Sequence, residues 1–369
     1  MRYTGKVDTL PTVGVEEEFL LVDPRTGAPV GKNADVARTA ADLGIDMQLE
    51  IMRCQVETST RIHTNSSDLL GELRELRRGA AACAEKNDAV LLAVAVPPAV
   101  SAELLAVTAT PRYRRIAERF GRLAQEQGLC GCHVHVAVPD REVALHVGNF
   151  LRPWLPLLLA LTANSAIYHG DETGYASWRN ILWRRWPSAG PPPHFESVRE
   201  YDSSVQAMLA LGVILDRKMV YWDVRPSVTF PTVEVRVSDV PATVEESALL
   251  ATLVRAAVMI AQRSTETPRI AEDTLRAAYW RAAHGGMDGP AVDPSDGRII
   301  PVQDLLAKLV DLIEPALNEL GDLGFVSDAL STLLARGNGA HRQLDAFRAR
   351  GEMADVIDEL AEATLYSCR

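Results

Sequence analysis

The sequence predicts an α+β fold built on an antiparallel sheet. Two observations carry this. Short apolar and β-branched segments alternate with helical patterns through the first two thirds of the 369 residues, and from Thr243 onward nearly every segment has helical periodicity. No repeat, low-complexity tract or linker interrupts the chain, so residues 1–369 are expected to form one domain with 243–369 mostly helical.

Residues 12–23 read as a strand, ended by the turn Asp23-Pro24-Arg25-Thr26-Gly27 and followed by a return strand. Residues 47–60 form a second strand region. Residues 66–86 have helical spacing, with Asn65 or Ser66 as the cap. Asp88 to Val96 is a continuous apolar strand, and Thr110-Pro111 opens an amphipathic helix to Gln127. Cys130 to Val138 is a strand. Residues 141–168 are mostly helix, perturbed by Pro153 and Pro156. A loop rich in Trp, Arg and Pro spans 177–194, and a helix follows to about residue 215. Two strands, 218–225 and 231–240, flank Pro226 to Pro231.

Hydrophobic content of 47% and charged content of 24% are those of a soluble globular chain. The most apolar stretch, Trp154 to Ala163, is about half of a membrane span and contains Pro156, so it reads as a buried helix. Met1 to Lys6 leads into polar residues, not the apolar run of a signal peptide. The net charge of −11 argues against nucleic-acid binding. Any site for an anionic nucleotide must then gather positive charge locally. Cys54, Cys83, Cys130, Cys132 and Cys368 are odd in number and scattered, which fits reduced thiols in a cytoplasmic protein.

Carboxylates carry the chemical signal. Glu16 and Glu18 lie two apart on a strand, so they share a face opposite Val15, Glu17 and Phe19. Alone, this is either a solvated charged face or a metal-binding pair. Like charges on an apolar strand resist burial, and hard divalent cations bound through oxygen would compensate them, which points to phosphoryl chemistry. Glu50 and Glu57 are seven apart and need a bulge or bend to share one site. In Cys130-Gly131-Cys132-His133-Val134-His135 a regular strand places the cysteines on one side and both histidines on the other, which argues against a zinc site. Glu234 and Arg236 share a face, as an ion pair or as a metal ligand beside a phosphate clamp. Arg179, Arg184 and Arg185 lie in the Trp/Arg/Pro segment, which either packs on the core or walls a pocket. Arg225 precedes Pro226 and is a further candidate anion binder. No phosphate loop, G-x-G-x-x-G, H-E-x-x-H or G-x-S-x-G occurs.

In order along the chain, Gly14-Val15-Glu16-Glu17-Glu18-Phe19-Leu20-Leu21-Val22-Asp23, Gln55-Val56-Glu57, Gly131 to Val136, Arg185-Trp186-Pro187 with Gly190-Pro191, Asp223 to Pro226, Val233 to Arg236 and Trp280 to Gly285 resemble the glutamate–cysteine ligase type 2 family of bacterial carboxylate–amine ligases. The resemblance implies a glutamine-synthetase-like fold, with a curled antiparallel sheet forming a funnel and helices outside. It implies Glu16, Glu18, Glu57, His133 and Glu234, with Glu50 less firmly, as ligands of Mg²⁺ (or Mn²⁺) bridging ATP phosphates. Arg236 would meet the γ-phosphate. The implied reaction phosphorylates the γ-carboxylate of glutamate or a similar acid, and an amine such as cysteine attacks the acyl phosphate. Residues 177–194 are the candidate cover excluding water. Arg179, Arg184, Arg185 and Arg225 are candidates for the substrate's α-carboxylate on charge alone, and a homodimer is the base-rate expectation. A guanidino-kinase-like phosphotransferase, a metal-dependent amidohydrolase and a non-catalytic nucleotide-binding protein are the rival readings.

Overall fold

A computed structural model describes residues 10–100, 106–126 and 128–368. Its centre is a seven-stranded antiparallel sheet. The strands, in chain order, are β1 (Val13–Val22), β2 (Met47–Leu49), β3 (Gln55–Ser59), β4 (Val90–Leu92), β5 (Gly131–Ala137), then β8 (Val224–Pro226) and β9 (Thr232–Asp239) after a two-residue hairpin of β6 (Ile167–Tyr168) and β7 (Asp171–Glu172). The sheet runs β2-β3-β1-β5-β9-β8, with β4 pairing the far end of β1.

One face is covered by helices because alternate strand residues are apolar. Val15, Val134, Val136, Val233, Val235 and Val237 pack in one core with Leu249, Leu250 and Leu253. Those leucines belong to the helix Val244–Arg263, which is buried along nearly its whole length. The helices Ser66–Glu85, Arg141–Leu151 and Leu155–Thr162 pack around it and against the sheet. Residues 141–162 are long and apolar enough to cross a membrane, but lie mostly buried within the protein.

Several local expectations are corrected. Residues 47–60 form two strands, a tight hairpin with Leu49 opposite Val56, and not one bent strand. The return strand after Gly27 shrinks to a single bridge, Val22 to Pro29, and a helix at Asn33–Asp42 went unforeseen. Only Val90–Leu92 of the apolar 88–96 run pairs as a strand. Beyond it, Ala93 N donates to Thr364 Oγ1 and Ala95 N to the Asn164 carbonyl, so the backbone is satisfied without a ladder.

The helix from Pro111 stops at Phe120, where Gly121 turns at φ 55°, and resumes over Arg122–Gln125; Gln127 lies outside the described residues, as do residues 1–9. The supposed loop at 177 begins as a helix, Trp178–Trp183, capped by Ser177. The next helix ends at Ala210, and the strand expected from 218 pairs only at Val224–Pro226. The helical C-terminal part holds as expected, interrupted by a hairpin of β10 (Pro290–Val292) and β11 (Ile299–Pro301).

Candidate active site

The face of the sheet away from the helices lines an open cavity of about 240 Å³. Strand register builds it. Glu18 lies opposite Glu57 across β1 and β3, and Glu16 lies opposite His133 across β1 and β5. His135 lies opposite Glu234 across β5 and β9, and Glu234 opposite Arg225 across β9 and β8. Between the pairs Cys132–Ser238 and Val134–Val235, β9 carries one residue more than β5, so Arg236 and Val237 together face His133. Arg236 stays on the cavity face with Glu234, two residues before it, while Val233, Val235 and Val237 stay in the core. Cys130 and Cys132 are fully buried, as the alternation requires.

Ligand atoms of Glu16, His133 and Glu234 lie within 4.8 Å of one another, and so do those of Glu18, Glu57 and His133. Glu50 follows β2 directly and joins the same cavity; a hairpin, not a bulge, brings it there. The two ends of the cluster differ electrically. Burial works to raise Glu16, but the hydrogen bonds of His133 and His135, 3.2 and 3.4 Å away, hold its carboxyl well below the usual range. Burial likewise opposes ionisation of Glu234, and the Arg236 and Arg225 guanidiniums overrule it. Arg225 grips Glu234 with two bonds of 3.0 and 3.1 Å, and Arg236 Nη1 touches the same carboxylate.

Glu50 and Glu57 form no ion pair among the described residues, and the more distant charge of Arg236 does not offset their burial. Burial, then the charge of Glu18, pushes Glu50 up to about 8. Burial, then Glu50, Glu16 and Glu18, raises Glu57 well above its ordinary value. Glu18 accepts the Gly131 N–H at 2.6 Å. Burial and Arg236 lower His133, which keeps its imidazole neutral and able to donate a lone pair. Oxygen donors in excess of protein cations, with one neutral imidazole, suit a hard divalent ion such as Mg²⁺ or Mn²⁺.

The arginines separate by position. Arg179 lines the cavity and is 3% exposed. It lies over Gly131, where a Cβ would fall 2.3 Å from its Nη2, and its buried Nε has no hydrogen-bond partner. Arg236 Nε is likewise without one. Arg225 lines the cavity too, but its donors are taken by Glu234 and by the Lys218 and Val220 carbonyls. Arg184 and Arg185 do not line it. Arg184 stacks on Tyr279, and Arg185 pairs with Glu126 at 3.0 Å near the surface.

Residues 177–194 are mostly buried or half-buried, and Arg179, Trp183 and Trp186 wall the cavity from this segment. Trp183, Trp186 and Tyr221 contact one another edge-on or tilted, and Trp186 is buried. The exposed segment at the cavity is the turn between β8 and β9, where Phe230 meets the His135 ring edge-on. Sequence reasoning also missed Arg112 and Tyr113, which line the cavity from the helix Pro111–Phe120. Helical spacing alone gave no sign that this face looks inward.

Residues 12–360 match the sequence model of glutamate–cysteine ligase family 2. A relative from Nocardia farcinica, provisionally named glutamate–cysteine ligase 2-1, is 64% identical over 97% of this chain and 94% of its own. A Mycobacterium sp. (strain KMS) relative, provisionally named glutamate–cysteine ligase 2-2, is 58% identical over 96% of this chain and 99% of its own. Among solved structures, a glutamate–cysteine ligase of Francisella tularensis in complex with AMP superposes with a TM-score of 0.69 at 15% identity. That match covers 97% of this chain and 90% of the other, and shows a shared fold.

Proposed function

The chain belongs to glutamate–cysteine ligase family 2 and is an ATP-dependent carboxylate–amine ligase, and from this premise we propose how its own residues divide the work. The observation that carries the reading is the convergence of Glu16, Glu18, Glu57, His133 and Glu234 on one sheet face with Arg236 beside them. Residues 1–369 act as one catalytic domain, and the cavity is read as the funnel.

Glu16, Glu18, Glu57, His133 and Glu234 would hold Mg²⁺, with Glu50 at the margin. Bound there, the ion would neutralise phosphate charge and orient ATP. Arg236 stabilises charge on the transferring phosphoryl through its planar fork, which Glu234 holds in place. Arg179, which lines the cavity from the Trp178–Trp183 helix, holds the carboxylate of the acid substrate. The Trp183 and Trp186 wall keeps water from the acyl phosphate until an amine attacks it. No enzyme nucleophile is needed. The acid is glutamate or a close relative, and cysteine is the default amine. The five buried free thiols fit a reducing cytoplasm, and a homodimer is the expected assembly.

The test is ADP release with Mg²⁺-ATP and glutamate, with and without a panel of amines including cysteine, and mass spectrometry of the products. Amine-dependent ADP with a γ-glutamyl amide supports the reading. A stable phospho-product without an amide, or cleavage of γ-glutamyl amides without nucleotide, overturns it.

Two further results are expected. Gly131→Ala drives a methyl group into Arg179, so KM for the acid should rise by about tenfold or more. An unchanged KM removes Arg179 from that role. The second concerns pH. Glu50 holds its proton to about 8 when folded but releases it near its ordinary 4.5 when unfolded. Over that interval the folded state binds more protons, so metal-free protein should lose stability as pH rises from about 4.5 to 8. Protons and metal compete for these carboxylates, so Mg²⁺ should raise Tm more at about pH 8 than at about pH 6. Thermal unfolding with and without Mg²⁺ checks both signs.

A further inference from the structure

The cavity has a direction, and β5 marks it. Gly131, His133 and His135 follow one another at alternate positions, so Gly131 and His135 stand roughly 13 Å apart at about 3.3 Å per residue. At the Gly131 end, Arg179 lies over the backbone and Glu18 accepts the Gly131 N–H. Glu57 stands opposite Glu18 at this same end. At the His135 end, Glu16 comes within 3.4 Å of His135, and Glu234 lies opposite it on β9. Beyond them comes the turn 227–231 between β8 and β9. It is tied to the end of β5 by Val138 N, which donates to the Pro231 carbonyl at 3.1 Å, and by a 3.0 Å contact of His135 Nδ1 with Thr232 Oγ1.

This direction decides where a nucleotide can lie. Phosphoryl transfer places the γ-phosphorus between the acceptor oxygen and the leaving diphosphate, roughly in line. With the acid at the Arg179 end and the phosphates beside the carboxylates, the nucleoside must leave towards His135 and the turn.

The turn offers a surface of matching kind. Val228 and Phe230 line the cavity yet are 47% and 57% exposed. The other aromatic rings of the cavity are buried or half-buried. Trp183, Trp186 and Tyr221 pack on one another, and the Arg112 guanidinium lies over Tyr113. Phe230 has one ring contact among the described residues, edge-on with His135. Ser227 Oγ accepts the N–H groups of Thr229 and Phe230, each at 3.3 Å, so the turn keeps its shape while the ring stays open to solvent. An open phenyl face suits a flat π-system, and stacking on it needs no base-specific hydrogen bond.

We propose that Phe230 stacks on the base of the nucleotide, so that ATP lies with its phosphates along Glu16 and Glu234 and its base on the β8–β9 turn. The assignment rests on the ligase reading and on the acid lying at the Arg179 end.

Calorimetric titration of the intact protein with ADP and with tripolyphosphate, in Mg²⁺ buffer, separates the base from the phosphates. Phe230→Ala should weaken ADP by about tenfold or more and leave tripolyphosphate within about twofold of the wild type. Phe230→Trp should restore ADP binding. In turnover, Phe230→Ala should raise KM for ATP and leave KM for glutamate unchanged. The titrations need neither acid nor amine, so they separate the stack from the rest of the reading. If Gly131→Ala leaves KM for the acid unchanged while Phe230→Ala still weakens ADP, the acid site fails and the stack stands. Wild-type ADP affinity in Phe230→Ala overturns the proposal, as when the base lies on the Trp183 and Tyr221 wall instead. An equal loss of tripolyphosphate also overturns it, because a displaced β9 and not a lost base contact would then explain the variant. Wild-type protein that binds no ADP overturns the proposal together with the ligase reading.

Discussion

Glu16→Gln is expected to cost about 100-fold or more in kcat/KM while the protein stays folded. Replacing only the outer partners of a bound metal costs about 10–100-fold, and Glu16 stands in the cluster itself. Its protein partners are His133 and His135, and a glutamine side chain still offers an acceptor and a donor to these imidazoles. The variant also removes one negative charge from the carboxylate cluster, so Mg²⁺ should bind more weakly. Glu234 is a poorer choice for this experiment. Its loss strands the Arg225 and Arg236 guanidiniums, so a fall in activity could reflect a damaged fold. Steady-state kinetics across Mg²⁺ concentration, with circular dichroism as the folding control, decide the matter. Wild-type turnover by Glu16→Gln would remove the cluster from the reaction.

Arg77→Ala is expected to destabilise the protein by about 3–5 kcal/mol, the usual cost of stranding one member of a buried ion pair. Arg77 and Glu17 are both fully buried. Glu17 meets Arg77 at 2.6 and 3.2 Å, and the guanidinium also donates to the Pro241 and Ala242 carbonyls, each at 2.9 Å. One side chain thus ties β1 to the chain leaving β9 and to the helix Val244–Arg263. Burial opposes the charge on Arg77, and the Glu17 carboxylate more than restores it. Urea unfolding measures the loss. A change below about 1 kcal/mol, the scale of an exposed pair, would show that Glu17 finds another partner.

Glu17 marks where the reading of the sequence stopped. Alternation placed it opposite Glu16 and Glu18, among Val15 and Phe19, and that placement holds. Its partner lies 60 residues away on a helix whose pattern was legible but whose packing was not. The histidines behaved as the strand pattern required, because a two-residue period needs no knowledge of neighbouring strands. The same period put Glu234 and Arg236 on one face, and both line the cavity, but it could not show that Arg225 pairs with Glu234, which depends on the pairing of β8 with β9.

Local pattern thus determined the α+β class, most of the strands, the face on which Glu16, Glu18, His133 and His135 lie, and, through the ordered motifs, the family. Tertiary structure alone decided that 47–60 is a hairpin delivering both Glu50 and Glu57, that Arg179 lines the cavity while Arg184 and Arg185 do not, and that Trp183 and Trp186 wall it. The reason is that alternation is set by the covalent chain over a few residues, whereas strand register, burial and the competition of several carboxylates for few cations are set by segments far apart in sequence.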